Sequence, residues 1–309
     1  MKQQLLILML FLANSQAIYA QTASDQRKAD RLFSKTLIQH EVDKDYEGAI
    51  TNYDQVIVLN PSHVLAYYYR GEAKGALGRY ADAIADYDQA IANDTHFCQA
   101  YMNRGITKAL LGRFTDAIAD FDHVIYLAPY AKQIYTYRGG YVTFGDDMNV
   151  GYNNRGKAKY DLASYVDAIA DFDKFIALNA SYAYAYYYRG ESKVHLGHYA
   201  EAIIDFDKTI ELKPKYEFVY NDRGEAKDYL SLYGDAIADF DQAIALYPKD
   251  AKAYNNRGFA YYKMGGTKAN YRKAVADYDI SIQLGGSNYK PEHQYRDDAM
   301  AALDKAVNQ

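Results

Sequence analysis

The residues in this chain best suited to chemistry are aspartates that flank an aromatic ring. They read Asp86-Tyr87-Asp88, Asp120-Phe121-Asp122, Asp171-Phe172-Asp173, Asp205-Phe206-Asp207 and Asp239-Phe240-Asp241. Two carboxylates held close together can divide acid and base work. These pairs, however, return at a constant interval, and a residue type that recurs at one structural position belongs to the architecture. An Arg-Gly dipeptide keeps step with them, its glycines at Gly71, Gly105, Gly156, Gly190, Gly224 and Gly258, with successive intervals of 34, 51, 34, 34 and 34 residues.

The remaining candidates are weaker. His195 and His198 lie three apart, a spacing able to hold a metal on a helix, but Gly197 breaks a helix between them and no third ligand is evident. Asp147, Asn149 and Gly151 carry part of a calcium-loop pattern without its later glutamate. Cys98 is the only cysteine, has no histidine in a partner pattern and falls in the first turn of a repeat helix, so it reads as a packing residue. No glycine-rich phosphate loop follows a strand and no Ser/His/Asp arrangement stands out. The expectation is a protein without catalytic residues, metal or cofactor.

Composition narrows the partners. The chain has 309 residues, half of them hydrophobic, with 35 Tyr, 12 Phe, no Trp and a formal charge of −5. It can bury a core, and the alternating charges form no basic stripe, which argues against nucleic acid. The first twenty residues read separately: Lys2, an apolar run from Leu5 to Leu12, then small Ala17 and Ala20. That order is the pattern of a secretory signal peptide, and the run is too short to span a bilayer comfortably. The expected location is extracytoplasmic, either periplasmic or secreted, with no transmembrane segment after cleavage. A single cysteine then leaves packing, with no internal disulfide, to supply stability.

The elements that position these residues follow from the repeat, since a period of this length marks stacked supersecondary units. In the unit from Val64, counted as position 1, Tyr67, Arg70, Gly71, Lys74 and Leu77 fall on one face of a helix. Gly78-Arg79 breaks it, and a second helix beginning near Asp82 carries Ala83, Ile84, Tyr87, Ala90 and Ile91 on one stripe. Small Gly71 and Ala83 let the pair approach closely. Pro61, Pro129, Pro214 and Pro248 stop second helices, while Thr95 and Ala180 stand in that place elsewhere. The 51-residue interval holds 17 extra residues, expected as a projecting insertion built of a short helical turn and a returning loop.

Tyr at position 4, Gly at 8, Ala at 20, Phe or Tyr at 24 and Pro at 32, renewed every 34 residues, resemble the tetratricopeptide repeat, here in an exported bacterial-type protein. The pattern departs from the family at position 7, where Arg replaces an apolar residue, and at position 11, where Lys74, Lys108, Lys159, Lys193 and Lys227 replace an aromatic. The resemblance implies an all-α, right-handed solenoid of helix-turn-helix repeats that binds a protein or peptide in a concave groove. The expected organisation is a leader at 1–20, an atypical repeat at 25–61, two repeats at 64–131, an insertion at 132–148, four repeats at 149–288 and a capping helix at 291–307.

The groove-facing positions that the resemblance implies place Tyr68, Tyr69, Met102, Asn103, Ile106, Asn153, Asn154, Tyr187, Tyr188, Asn221, Asn255, Asn256 and Phe259 in a ligand-binding surface. A row of asparagine amides can grip the backbone of an extended peptide, and the apolar neighbours can take its side chains, so the expected ligand is a mainly apolar or aromatic internal segment, weakly sensitive to salt. Two other classes remain open: glycan binding, by stacking sugars on groove tyrosines, and an enzyme with its site in the insertion at 139–151. On the packed side, Arg70, Arg104, Arg155, Arg189, Arg223 and Arg257 are expected to pair with second-helix aspartates, namely Asp86, Asp120, Asp171, Asp205, Asp239 and Asp277, because an unpaired buried guanidinium costs several kcal/mol. The leader reading is checked by intact mass of protein from its native host: the mature chain should begin at Ile18 or Gln21, and retention of Met1 through Ala20 would remove the export assignment.

Overall fold

The computed structural model describes residues 22–130, 134–135, 141–142, 145–285 and 290–307; the leader lies outside them. The chain divides into two compact units, Met1–Ala158 and Lys159–Gln309. The first contains helix α1 (22–38), a π-helical turn at Gln39–Asp43, and helices α2 (Tyr46–Leu59), α3 (Val64–Ala76), α4 (Tyr80–Asn93), α5 (Cys98–Leu110) and α6 (Phe114–Leu127). Helix α7 (Gly145–Asp161) begins in the first unit and ends in the second. The second unit continues with α8 (Tyr165–Leu178), α9 (Ala183–His195), α10 (Tyr199–Leu212), α11 (Glu217–Tyr229), α12 (Tyr233–Leu246), α13 (Ala251–Met264), α14 (Lys268–Gln283) and α15 (Lys290–Val307).

Within each unit consecutive helices pack on one another: α3 on α4 and α5 on α6 in the first, α9 on α10, α11 on α12 and α13 on α14 in the second. The tight turn inside a pair needs one residue in the left-handed region. Gly78 and Gly112 supply it at φ 75° and 72°, while Ala163 and Ser231 adopt φ 58° and 60° at the equivalent places against their own preference. Between pairs the turn does not depend on proline. The Asn60 side chain accepts from the backbone N–H of Ser62 across Pro61 (3.2 Å), Asp94 from His96 across Thr95 (2.9 Å), and Asn179 from Ser181 across Ala180 (3.2 Å). An Asx turn thus sets the chain reversal whichever residue stands in the middle.

The insertion departs from the expected helical turn. Ile134–Tyr135 pairs antiparallel with Tyr141–Val142, Ile134 opposite Val142, and α7 starts at Gly145, inside the stretch assigned to the insertion. Asp147, Asn149 and Gly151 therefore lie on a helix and form no calcium loop.

The core of each pair is one aromatic ring seated on one glycine. Phe121, Phe206, Phe240 and Tyr278 are at most 1% exposed. A Cβ at Gly105 would fall 2.7 Å from the Phe121 ring, at Gly190 2.8 Å from Phe206 and at Gly224 2.5 Å from Phe240. No side chain fits there, so the glycine sets how closely the helices approach.

The arginine before each glycine is a clamp with two jaws. Arg70 reaches the buried Asp86 of its own pair at 2.5 Å and the exposed Asp54 of the preceding pair at 2.5 Å. Arg104 does the same with Asp120 (2.6 Å) and Asp88 (2.5 Å), Arg189 with Asp205 (2.5 Å) and Asp173 (2.6 Å), Arg223 with Asp239 and Asp207 (2.5 Å each), and Arg257 with Asp277 and Asp241 (2.6 Å each). Arg155 holds Asp122 at 2.6 Å, and Asp171 is held by Lys159 at 2.8 Å. Lys74, Lys108, Lys193 and Lys227 likewise reach the buried aspartates, at 2.7–2.9 Å. Each guanidinium also lies over the tyrosine three residues earlier, Arg104 at 5.2 Å from the Tyr101 centroid.

The two jaws should weigh differently. Arg223→Ala leaves Asp239, whose side chain is 5% exposed, with Lys227 alone, and should cost about 3 kcal/mol of stability in chemical denaturation. Asp207→Ala, which removes the 54%-exposed partner, should cost less than about 1 kcal/mol. Equal losses would mean that the inner jaw is no stronger than the outer.

Candidate binding surface on the first helices

The first helix of each pair turns one side to its pair-mate and the other outward, and the outward side carries the residues expected to bind ligand. In the first unit, the Tyr68 hydroxyl donates to Glu72 Oε1 at 3.0 Å, and the Asn103 amide donates to Tyr68 Oη (2.9 Å) and to Glu72 Oε1 (3.0 Å). Burial raises the Glu72 pKa, and the hydrogen bonds from Tyr68 and Asn103 oppose that rise. Tyr69 stacks on Tyr53 with ring centroids 6.4 Å apart. Asn153 donates to Asn154 at 3.4 Å, and the Asn154 amide points at the Met102 sulfur at 3.4 Å. Ile106 and Leu110 stand exposed.

In the second unit the outward side is acidic. Tyr187 donates to Asp222 Oδ2 at 2.8 Å, Tyr160 to Glu191 at 3.4 Å, and Tyr188 stacks on Phe172 at 6.2 Å. Asn256 donates to Asn221 Oδ1 (3.0 Å) and to Glu225 Oε1 (2.6 Å), and Asn221 donates to the same Glu225 oxygen at 3.1 Å. Lys252 comes in from α13 to 2.7 Å from Glu225 and 3.6 Å from Asp222. Two pockets open here. One, of about 420 Å3, lies between Glu191, His195, Tyr199, Asp222, Tyr229 and Lys252. The other, of about 550 Å3, lies between Asp228, Tyr229, Tyr233, Asn255, Phe259 and Tyr295.

Two of the expected contact residues are not open to a ligand. Met102 is 8% exposed within the core of the first unit, and Asn221 is 3% exposed beneath Glu225 and Asn256. The asparagine row does not stand free either: the amides of Asn103 and Asn256 are committed to carboxylates of their own chain. Ile106, Asn255 and Phe259 remain at the surface or in a pocket lining. The residues that reading for asparagines missed are Glu72, Glu191, Glu225, Asp228 and Lys252. A signal for three of them was present, because Glu directly follows Arg-Gly at Glu72, Glu191 and Glu225.

The electrostatics follow from crowding acids in a half-buried place. Burial, with Asp222 close by, pushes Glu191 up to about 8 against the opposing pull of Lys252. Burial, with Glu225 nearby, pushes Asp228 up to about 7. Burial also raises Asp222, and Lys252 is raised by Glu225 and Asp222, which outweigh its own burial. His195 ends α9 and His198 precedes α10, with Gly197 between them at φ 79°. Among the described residues no group of three or more His, Cys, Asp or Glu is placed to hold a metal ion. Cys98 is buried, its Sγ 3.8 Å from the Val124 carbonyl oxygen.

An array of helix pairs, each closed by an aromatic ring on a glycine, defines an α-solenoid. The sequence pattern of the tetratricopeptide repeat matches residues 43–96, 73–132 and 153–217, and that of the TPR repeat matches 232–265. The chain belongs to the tetratricopeptide repeat family. No curated protein sequence matches it. Among solved structures, a tetratricopeptide repeat protein from Parabacteroides merdae is 19% identical, with a TM-score of 0.58 over 89% of this chain and 99% of its own. The C-terminal part of a TPR repeat-containing protein from Cytophaga hutchinsonii is 18% identical, with a TM-score of 0.61 over 87% and 98%. YrrB, described as a TPR protein with an unusual peptide-binding site, is 17% identical, with a TM-score of 0.53 over 65% and 95%.

The raised acids make stability fall with pH. Glu191 stays protonated in the folded chain up to about 8, whereas unfolded it ionises at its ordinary 4.5. Its contribution is fully present below the unfolded value and is lost as pH rises to the folded one, by at most about 1.4 kcal/mol for each pH unit between them. Thermal melts between pH 5 and 9 should show this decline, and Glu191→Gln should flatten it. A decline of the same size in the variant would show that Glu191 is not its source.

Proposed function

We propose that the protein is an exported, non-enzymatic scaffold that holds a peptide or protein partner against the outward side of its first helices. The observation that carries this reading is the pair of adjoining pockets in the second unit, lined chiefly by α9, α11 and α13, with Tyr199 of α10, Tyr233 of α12 and Tyr295 of α15. Groups in them are supplied by successive repeats, so an extended ligand lying across the helices meets one repeat after another. The peptide-binding site ascribed to the structurally similar YrrB supports the reading by analogy. The aspartate pairs offer no competing catalytic role, because arginine and lysine occupy them pair after pair. A peptide is favoured over a sugar because the hydroxyls of Tyr68 and Tyr187 are already given to Glu72 and Asp222. Export rests on the leader pattern of residues 1–20, and among the described residues no helix is long and apolar enough to cross a membrane. The second unit also shifts the expected ligand from a mainly apolar one, weakly sensitive to salt, towards one that answers acidic pockets.

A random peptide library panned against the mature chain tests the reading. It should enrich binders whose photo-crosslinks fall on α9, α11 and α13, and Phe259→Ala should weaken them. No enrichment, or crosslinks confined to second helices, would overturn it.

A further inference from the structure

The larger pocket of the second unit has a composition that a peptide backbone alone does not explain. Its walls are the rings of Tyr229, Tyr233, Phe259 and Tyr295. Phe259 and Tyr295 meet edge to face at 5.5 Å, which gives that wall a fixed shape. Two acceptor oxygens belong to residues of the lining, Asp228 Oδ1 and Asn255 Oδ1, and both are sealed from solvent with no hydrogen-bond donor. The Tyr278 hydroxyl behind Tyr295 is likewise buried without a partner, but the neighbouring carboxylates are satisfied. Glu225 is occupied by Lys252, Asn221 and Asn256, and Asp222 by Tyr187. The volume of about 550 Å3 falls in the usual range of roughly 300–1,000 Å3 for ligand sites.

Buried acceptors without donors are costly, and a carboxylate without a counter-charge more so. A cation seated in the pocket offsets the uncompensated charge of Asp228, and aromatic faces attract the same cation. The chain already contains an instance of this attraction: the exposed Lys263 sets its ammonium 5.2 Å over the Phe259 ring. We infer that this pocket receives a cationic side chain of the bound partner, with arginine the best fit. A planar guanidinium stacks on the rings of the walls while its charge lies beside Asp228, whereas a compact ammonium has no flat face to stack. Lys263 is the internal cation that an incoming arginine displaces from Phe259. The inference takes the source of its ligand from the scaffold reading above; the chemistry of the pocket stands on the residues named here.

The test uses small probes on the intact mature chain. N-acetyl-arginine amide, titrated under amide-detected NMR, should shift resonances of α11 and α13 around Asp228, Asn255 and Phe259 and saturate in the millimolar range. N-acetyl-citrulline amide, which has the same shape without the charge, should leave them in place. Asp228→Asn keeps the side-chain shape and removes the charge, and should weaken the arginine probe roughly tenfold. Lys263→Gln removes the competing cation and should tighten it. Equal binding of the citrulline probe, shifts elsewhere in the chain, or an affinity that Asp228→Asn leaves unchanged would overturn the inference. Panned peptides that crosslink to the first helices while the arginine probe leaves this pocket unmoved would sink the inference and spare the scaffold reading. Arginine binding here with no peptide enriched would do the reverse.

Discussion

The rest of the structure depends on the arginine clamp. A helix pair stacked on its neighbour by apolar contact alone could slide, because a hydrophobic stripe resists rotation better than it resists translation along its own axis. The clamp removes that freedom. One end of each guanidinium is fixed to a buried carboxylate in its own pair and the other to the outer aspartate of the pair before it, as in Arg104 with Asp120 and Asp88. A planar fork with donors on both edges suits this task, which a lysine could not perform. The lysine one helical turn further along, Lys108 in that pair, takes the remaining face of the buried aspartate, so the carboxylate meets two cations. Such a network contributes register as well as stability, since replacing it with apolar groups would keep the burial and lose the geometry.

The second constraint is the absence of a side chain at the glycine next to each arginine. The aromatic ring between the two aspartates rests so close that an added Cβ would fall only 2.5–2.8 Å from it at Gly105, Gly190 and Gly224. Ring, glycine and clamp therefore form one joint, made by five residues of three helices: Arg104 and Gly105 of α5, Asp120 and Phe121 of α6 and Asp88 of α4. With the inner sides of the helices consumed by this joint, the outer sides of the first helices are free to vary. They do vary: the first unit exposes Ile106 and Leu110, whereas the second gathers Glu191, Asp222 and Glu225 about Lys252, with Asp228 in the adjoining pocket. Variation on a constant frame is how a repeat protein acquires a particular partner.

The gathered acids follow from the same frame. Residues that occupy one position in successive repeats are brought side by side, so acids spaced a full period apart in the chain become neighbours. Half-buried together, they hold one another's protons; burial comes first, and proximity adds to it for Glu191 and Asp228. Lys252 offsets part of this at Glu225, and Asp228 is left with an oxygen that no donor reaches. The second unit thus carries a group of acids whose ionisation burial and one another's proximity oppose.

Periodicity in the sequence alone determined the helix pairs, the family, the small residues that let paired helices approach and the arginines and inner aspartates of the clamp. Each of these recurs with the period, and recurrence makes a local rule visible. Three things were decided only in three dimensions. The outer jaw of the clamp joins residues of different pairs, and nothing in a single repeat of sequence says which neighbour an arginine will reach. The asparagines of the outward row look free in the sequence, yet Asn103 and Asn256 turn back to carboxylates that follow a glycine in the preceding repeat. The pocket between Asp228, Asn255 and Phe259 exists only because α11 and α13 lie side by side with Tyr295 of α15 across them. Spacing along a chain reports which face of a helix a residue occupies. Whether its hydrogen bonds are spent on a neighbour or left for a ligand depends on distances across the stack, and those are set by packing.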